Sequence, residues 1–236
     1  MPTAIITGGA IRIGKAMALH LAGKGFSIAL HYNQSNPSET IDEIKSRGVR
    51  CLEYPCDLTK IEEAEQLIAR VIADFNDVEL LINSAANFIQ ENLEETHKDT
   101  LASTLHLNLM SPYLLMRDYK RSINKGMIVN IIDERVRKHI STFAAYSVSK
   151  VGLKYLTELA AVEWGETVRV NGIAPGLILP PQGGAPDYLE KAAEKVPTRT
   201  HGNMENLLQA LDYLLENQFV NGDTLFVDGG ESWLRS

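Results

Sequence analysis

Ala4-Ile5-Ile6-Thr7-Gly8-Gly9-Ala10-Ile11-Arg12-Ile13-Gly14 decides the fold of this chain. A short apolar run leads into paired glycines, and from Arg12 to Ala22 apolar residues recur at helical spacing (Ile13, Met17, Leu21) until Gly23 and Gly25 stop them. The order is strand, glycine turn, helix. At such a junction the backbone N–H groups of the turn and the first helical turn converge, and the helix dipole favours negative charge. Gly8, Arg12, Ile13 and Gly14 are therefore candidate contacts for a pyrophosphate. Arg12 brings a guanidinium that can bind phosphate or a carbonyl bidentately.

The same rhythm continues outward. Phe26 to Tyr32 reads as a strand, Ser38 to Ser46 as a helix, Val49 to Tyr54 as a strand, Glu62 to Phe75 as a helix and Val78 to Ile82 as a strand. Two longer helical tracts, around His97 to Tyr119 and Phe143 to Trp164, are separated by a strand from Met127 to Ile132. Val168 to Ile173 (strand), Met204 to Leu215 (helix) and Thr224 to Val227 (strand) complete the pattern, which contains no internal repeat. Regular alternation implies an α/β fold of the Rossmann type, a doubly wound parallel sheet with helices on both faces. Its 236 residues, 44% of them hydrophobic, suit one domain spanning 1–236. The break Pro180-Pro181-Gln182-Gly183-Gly184-Ala185-Pro186 follows a strand, where a substrate lid would sit.

A net charge of −7 without basic runs argues against nucleic-acid or anionic-membrane partners. No leader pattern opens the chain and no apolar stretch approaches about 18 residues, so a soluble cytoplasmic protein is expected. Cys51 and Cys56 have no ligand-spaced companions, so they read as reduced thiols and no metal is expected. The second strand ends in His31-Tyr32-Asn33-Gln34-Ser35, and the first acidic residue beyond it is Glu39. A carboxylate at that strand end normally binds the NAD ribose and would repel a 2′-phosphate, so its absence favours NADPH. Tyr32 and Asn33 fall at this edge, and His31 and Ser35 are candidate phosphate contacts, with a surface histidine as the alternative.

The reactive group sits farther along. Tyr146 and Lys150 share a helix face at i and i+4, so the ammonium is expected to bring a phenol of intrinsic pKa about 10 toward working pH. Asp133 lies thirteen residues before Tyr146. Tyr-x-x-x-Lys resembles the signature of short-chain dehydrogenases/reductases, most of which carry serine where this chain has Asp133. The resemblance extends along essentially the whole chain. Thr7 to Gly14 is similar to the family's Thr-Gly-x-x-x-Gly-x-Gly, with Arg12 in place of the middle glycine. Cys56-Asp57-Leu58 resembles the segment with an adenine-contacting Asp, and Asn83-Ser84-Ala85-Ala86 its Asn-Asn-Ala-Gly stretch beside the cofactor. Asn108 matches the helix asparagine that holds a relay water, and Pro175-Gly176 and Val227-Asp228-Gly229-Gly230 also match.

Within that family, Arg12, His31-Tyr32 and Asp133 resemble the pattern of pteridine reductases and dihydromonapterin reductases. So does Phe88, which takes the place of the aromatic residue that stacks on the pterin there. Ala86 and Gln34 depart from the pattern, standing where a ligand-binding serine and a phosphate-binding arginine are common. The resemblance implies NADPH-dependent reduction of a dihydropterin such as dihydromonapterin, dihydrobiopterin or dihydrofolate. Tyr146 and Asp133 would handle protons, Lys150 the nicotinamide ribose, and Arg12 and Phe88 the substrate. An ionised Asp133 would repel the oxyanion of a reduced ketone, whereas a carboxyl with raised pKa can relay a proton to a ring nitrogen. The alternatives are an NADPH-dependent carbonyl reductase, such as one acting on 3-oxoacyl thioesters, and a catalytically silent dinucleotide sensor. The family also implies a homo-oligomer, dimer or tetramer, built from the two long helices and the last strand, with Trp233-Leu234-Arg235-Ser236 reaching a neighbour.

Overall fold

The computed structural model describes residues 1–181 and 183–234. Seven strands form one parallel sheet: β1 (Thr3–Ile6), β2 (Ser27–Tyr32), β3 (Cys51–Pro55), β4 (Val78–Asn83), β5 (Gly126–Ile131), β6 (Val168–Pro175) and β7 (Thr224–Val227). Their spatial order is β3-β2-β1-β4-β5-β6-β7. Every pairing is parallel. The chain winds outward from β1 to β3, then crosses back to β4 on the other side of β1. The carboxyl ends of β1 and β4 thus point into a crevice from which the connections diverge, the usual binding place in such sheets.

The helices are α1 (Arg12–Gly23), α2 (Ser38–Lys45), α3 (Ile61–Asp74), α4 (Lys98–Leu105), α5 (Ser111–Ser122), α6 (Ala144–Trp164), α7 (Tyr188–Ala193) and α8 (Met204–Glu216). Because side chains alternate across a strand, neighbouring residues serve opposite layers. Ile5, Ala29, Leu81 and Ile128 pack with Leu67, Ile68 and Val71 of α3 and Leu115, Met116 and Tyr119 of α5. Ile6, Leu30, Ile82 and Val129 pack on the other side with Met17 and Leu21 of α1 and Leu207 and Leu211 of α8. Burial on both faces explains why these strands are continuously apolar.

The tract expected as one helix from His97 to Tyr119 is interrupted. A wide π turn, His106–Met110, joins α4 to α5. Pro112 supplies the reason, because in a continuous α-helix its ring would meet the carbonyl of Asn108 and its missing N–H would leave that carbonyl unbonded. Strand β6 runs two residues beyond the expected Ile173. Short 3₁₀ turns at Glu134–Arg137 and Ser141–Phe143, and the helix α7, had no periodic signal. The proline- and glycine-rich break after β6 is irregular where it is described, and its Gln182 lies outside the described residues.

Candidate active site

A cavity of about 760 Å³ follows the carboxyl ends of the strands. Tyr32, Asn33, Gln34, Ser35, Asp57 and Leu58 line one end, the glycine turn with Ser84 and Ala85 lines the middle, and Asp133, Tyr146 and Lys150 line the other end. Arg12, Ile13, Phe88, Pro175 and Gly176 also border it. A second cavity of about 610 Å³ lies at the amino ends of the strands among Phe26, Glu79, Gly126 and Arg169 and contains none of these residues.

The turn is shaped by close contacts. Gly8 has φ +65°, and a Cβ there would lie 3.0 Å from the Ala85 Cα, whereas one on Gly14 would lie 2.2 Å from the Gly8 carbonyl oxygen. Neither position tolerates a side chain without backbone movement. Thr7 Oγ1 accepts the N–H groups of Ser84 (2.9 Å) and Ala85 (3.1 Å), tying the end of β1 to the segment after β4. Arg12 itself adopts a left-handed conformation with φ 53°. That backbone suits the glycine of the family pattern, and an ordinary residue adopts it at a cost. Its guanidinium donates to the Pro180 carbonyl at 2.9 Å, linking α1 to the loop after β6.

His31 departs from expectation as both phosphate contact and surface residue. It is buried at the end of β2. The Gly8 N–H donates to its Nδ1 (3.1 Å), so Nε2 carries the proton and donates to the Cys56 carbonyl (2.9 Å). Both ring nitrogens are spent on backbone. Burial lowers the pKa to about 4, so the ring is neutral and props the glycine turn. Tyr32, Asn33, Gln34 and Ser35 present no charge to the cavity. Asp57 accepts from the Thr59 hydroxyl (2.7 Å) and N–H (3.0 Å), chiefly the former holding its pKa below the usual value. Asn83 is buried and does not line the cavity; it donates to Asn130 Oδ1 at 2.8 Å, while its own Oδ1 has no partner.

At the reactive end, Asp133 follows β5 in extended backbone and caps the Glu134–Arg137 turn. Its Oδ1 accepts the Arg135 N–H (2.9 Å) and its Oδ2 accepts the Tyr146 hydroxyl (2.7 Å). Burial raises the Asp133 pKa, against the opposing pull of those two donors. The expected lowering of the Tyr146 pKa is reversed. Burial first, and the adjacent Asp133 second, push that phenol well above its usual value. Lys150 stands one turn along α6, but its Nζ donates to the Ile131 carbonyl at 2.7 Å and lies 5.7 Å from the centre of the Tyr146 ring. Burial lowers the lysine pKa to about 8. Helix spacing brought Tyr146 and Lys150 to one face; burial, which spacing does not reveal, set their proton affinities.

Asn108 is fully buried in the π turn and does not reach the cavity. Its Oδ1 accepts the Asn87 N–H (3.1 Å), and its Nδ2 donates to the Asn87 carbonyl (3.2 Å) and Ser149 Oγ (3.2 Å). It therefore clasps the segment that presents Phe88. The Phe88 ring stacks on Phe143, with centroids 4.0 Å apart and planes 12° from parallel, and meets Tyr146 edge-on at 4.6 Å. The Arg135 guanidinium lies 4.7 Å from the Phe143 centroid and 5.7 Å from that of Phe88. Sequence analysis did not find Phe143 or Arg135. Phe143 had a faint signal as an aromatic residue one turn before Tyr146, whereas Arg135 had none.

Among the described residues no group of His, Cys, Asp and Glu could hold a metal ion, and no helix is long and apolar enough to cross a membrane. Trp233 is exposed and packs against the Arg137 guanidinium of its own chain at 4.4 Å. Arg235 and Ser236, expected to reach a neighbour, lie outside the described residues.

A parallel sheet with a glycine turn at its switch point and a Tyr-x-x-x-Lys helix defines a class, and the comparisons agree with it. Residues 9–232 match the family model described as enoyl-(acyl carrier protein) reductase, and the chain is an oxidoreductase belonging to the short-chain dehydrogenase/reductase family. Particular relatives follow. The chain is 30% identical over 242 residues to 2-dehydro-3-deoxy-D-gluconate 5-dehydrogenase of Escherichia coli K12, covering 98% of this chain and 94% of that protein. It is 27% identical over 231 residues to dihydromonapterin reductase of Shigella boydii, covering 96% and 95%. The crystal structure of FolM alternative dihydrofolate reductase 1 from Brucella suis in complex with NADP superposes with a TM-score of 0.92 at 28% identity, covering 99% of this chain and 96% of that one.

Proposed function

We propose that this oxidoreductase uses NADPH to reduce a dihydropterin, or the pterin ring of dihydrofolate, at a ring C=N bond. The observation that carries the proposal is the hydrogen-bonded Asp133–Tyr146 pair, 2.7 Å apart, beside the half-exposed ring of Phe88. Burial raises the proton affinity of both groups, and the Tyr146 hydroxyl proton lies on the hydrogen bond between them. An aromatic ring next to a proton donor suits a flat heterocycle. The relatives named for dihydromonapterin and dihydrofolate reduction support the same choice.

The residues present fit an NADP cofactor. A glycine turn without room for side chains opens α1, and the β2 end presents only neutral groups to the cavity, so a 2′-phosphate meets no carboxylate from that strand. When bound, the cofactor supplies the hydride. Gly8, Arg12, Ile13 and Gly14 are assigned to the pyrophosphate, and Tyr32, Asn33 and Ser35 to the adenosine phosphate end. Asp57, Leu58, Ser84, Ala85, Pro175 and Gly176 are assigned to the walls of the groove. Lys150 is assigned to the nicotinamide ribose and Arg12 and Phe88 to the substrate. Tyr146 delivers its proton to the ring nitrogen, and Asp133, which accepts the Tyr146 hydroxyl, takes up a proton from solvent and returns it to the phenolate. Asn108 and Asn83, which lie behind the cavity wall, are assigned positioning roles, on the Phe88 segment and at the end of β4.

A second reading is carbonyl reduction, favoured by the similarity to 2-dehydro-3-deoxy-D-gluconate 5-dehydrogenase. It leaves the carboxyl at position 133 without a purpose, because a carboxylate opposes oxyanion formation. Steady-state NADPH oxidation with dihydromonapterin, dihydrobiopterin, dihydrofolate and an acetoacetyl thioester separates the two. Preferential turnover of the thioester by the purified protein would overturn the proposal.

Assembly into a homo-oligomer is also proposed. Val148, Val151, Tyr155, Leu159 and Val162 form an exposed apolar stripe at helical spacing on α6, with Val162 89% exposed.

A further inference from the structure

We infer that Lys138 is a positioning residue, which holds Asp133 against Tyr146 by clamping the turn behind Asp133 to the chain beyond β7. The inference rests on the acid-base role given to Asp133 above and names what fixes that carboxyl in place. Asp133 stands at the head of the four-residue 3₁₀ turn Glu134–Arg137. A single turn of this kind has little stability of its own, so side-chain contacts set its position. Lys138 closes the turn with its N–H on the Arg135 carbonyl (2.9 Å). Its Nζ lies 2.8 Å from the carboxylate of Glu134, the residue next to Asp133, and 3.0 Å from that of Glu231. The Lys138 and Glu134 side chains are only 9% and 8% exposed.

The anchor at the other end is itself fixed. Beyond β7, Gly230 takes a left-handed backbone with φ 86°, and Asp228 accepts the N–H groups of Gly230 (2.9 Å) and Ser232 (3.0 Å), which secures the turn Glu231–Trp233. Val136 and Phe226 pack against one small apolar cluster, and the Arg137 guanidinium lies 3.4 Å from the centre of the Phe226 ring. Those contacts hold the back of the turn to β7, whereas the Lys138–Glu134 pair acts at the residue beside Asp133. A buried ion pair returns little net stability once its desolvation is counted, so placement is the greater effect of this one. Misplacing a reacting group by about 1 Å costs up to about 100-fold in rate.

The test is a double-mutant cycle of Lys138→Met and Asp133→Ser, made singly and together, with kcat for a dihydropterin measured at saturating NADPH. Lys138→Met should lower kcat about 10-fold when Asp133 is present and less than about 2-fold in the Asp133→Ser background, because it acts through a carboxyl already removed. Lys138→Arg should recover most of the loss, and the NADPH dissociation constant should stay near wild type. Glu231→Ala cuts the tie beyond β7 while keeping the Lys138–Glu134 pair. It should lose about 3-fold with the same dependence on Asp133, and it carries the test where Lys138→Met does not fold. Glu231 borders the cavity, and a loss through direct substrate contact would instead be equal in both backgrounds. Equal proportional losses in the two backgrounds, unchanged kcat in the folded variant, or no recovery with arginine would overturn the role of Lys138. Full dihydropterin turnover by Asp133→Ser, or none by wild type, would overturn the reading of Asp133, and this inference with it.

Discussion

Asp133 spends both carboxyl oxygens on fixed donors and still holds a proton more tightly than a free aspartate, because burial outweighs those bonds. Replacing it with the family's serine removes the second proton carrier while leaving Tyr146 and the cofactor groove in place. Asp133→Ser should cut dihydropterin kcat about 100-fold, with NADPH affinity unchanged in a fluorescence titration. The adjoining Glu134 gives a stability prediction. Buried against Lys138 at 2.8 Å, it has its pKa raised from 4.5 to about 7, chiefly by desolvation. A raised folded-state pKa means the stabilisation is complete below the unfolded value and is lost as pH rises through the folded one. Wild type should therefore lose melting temperature relative to Glu134→Gln between about pH 4.5 and 7. Parallel melting curves across that window would rule this out. Tyr146, Lys150 and Asp133 were legible as a group from their spacing. Their proton affinities were not, since desolvation depends on what other segments place around them.

Strands and helices were legible wherever a periodic apolar pattern ran unbroken, as in α3 and β4. The π turn before Pro112 was hidden, although that proline made a regular helix through Asn108 untenable. The glycine turn was readable as a junction, but the placement of His31 beneath it required the fold, because His31 comes from β2 and meets Gly8 only in three dimensions. At that junction Gly14→Ala puts a methyl group 2.2 Å from the Gly8 carbonyl oxygen and should force the turn open. The expected result is at least a tenfold rise in the NADPH dissociation constant, together with a lower melting temperature. An unchanged dissociation constant would show that the turn does not hold the cofactor.

The doubly wound sheet as a whole was predictable from alternation, and its switch point from the place of the glycine turn. What alternation does not specify is which loops close over the reactive end. Phe143 and Arg135 arrive there from the connection between β5 and α6, and Pro180 from the connection after β6. Association was suggested only by resemblance, and the exposed stripe on α6 now gives it a physical basis. Val162→Asp should shift the species seen by light scattering toward a smaller oligomer without loss of secondary structure; a wild-type monomer would contradict the proposed assembly. The whole account turns on what the cavity reduces. Purified wild type and Asp133→Ser should be compared in NADPH oxidation with a dihydropterin and an acetoacetyl thioester. The expected result is a dihydropterin kcat/KM at least about 100-fold above that for the thioester, lost on Asp133→Ser. Preference for the thioester, or full dihydropterin turnover by Asp133→Ser, would contradict it.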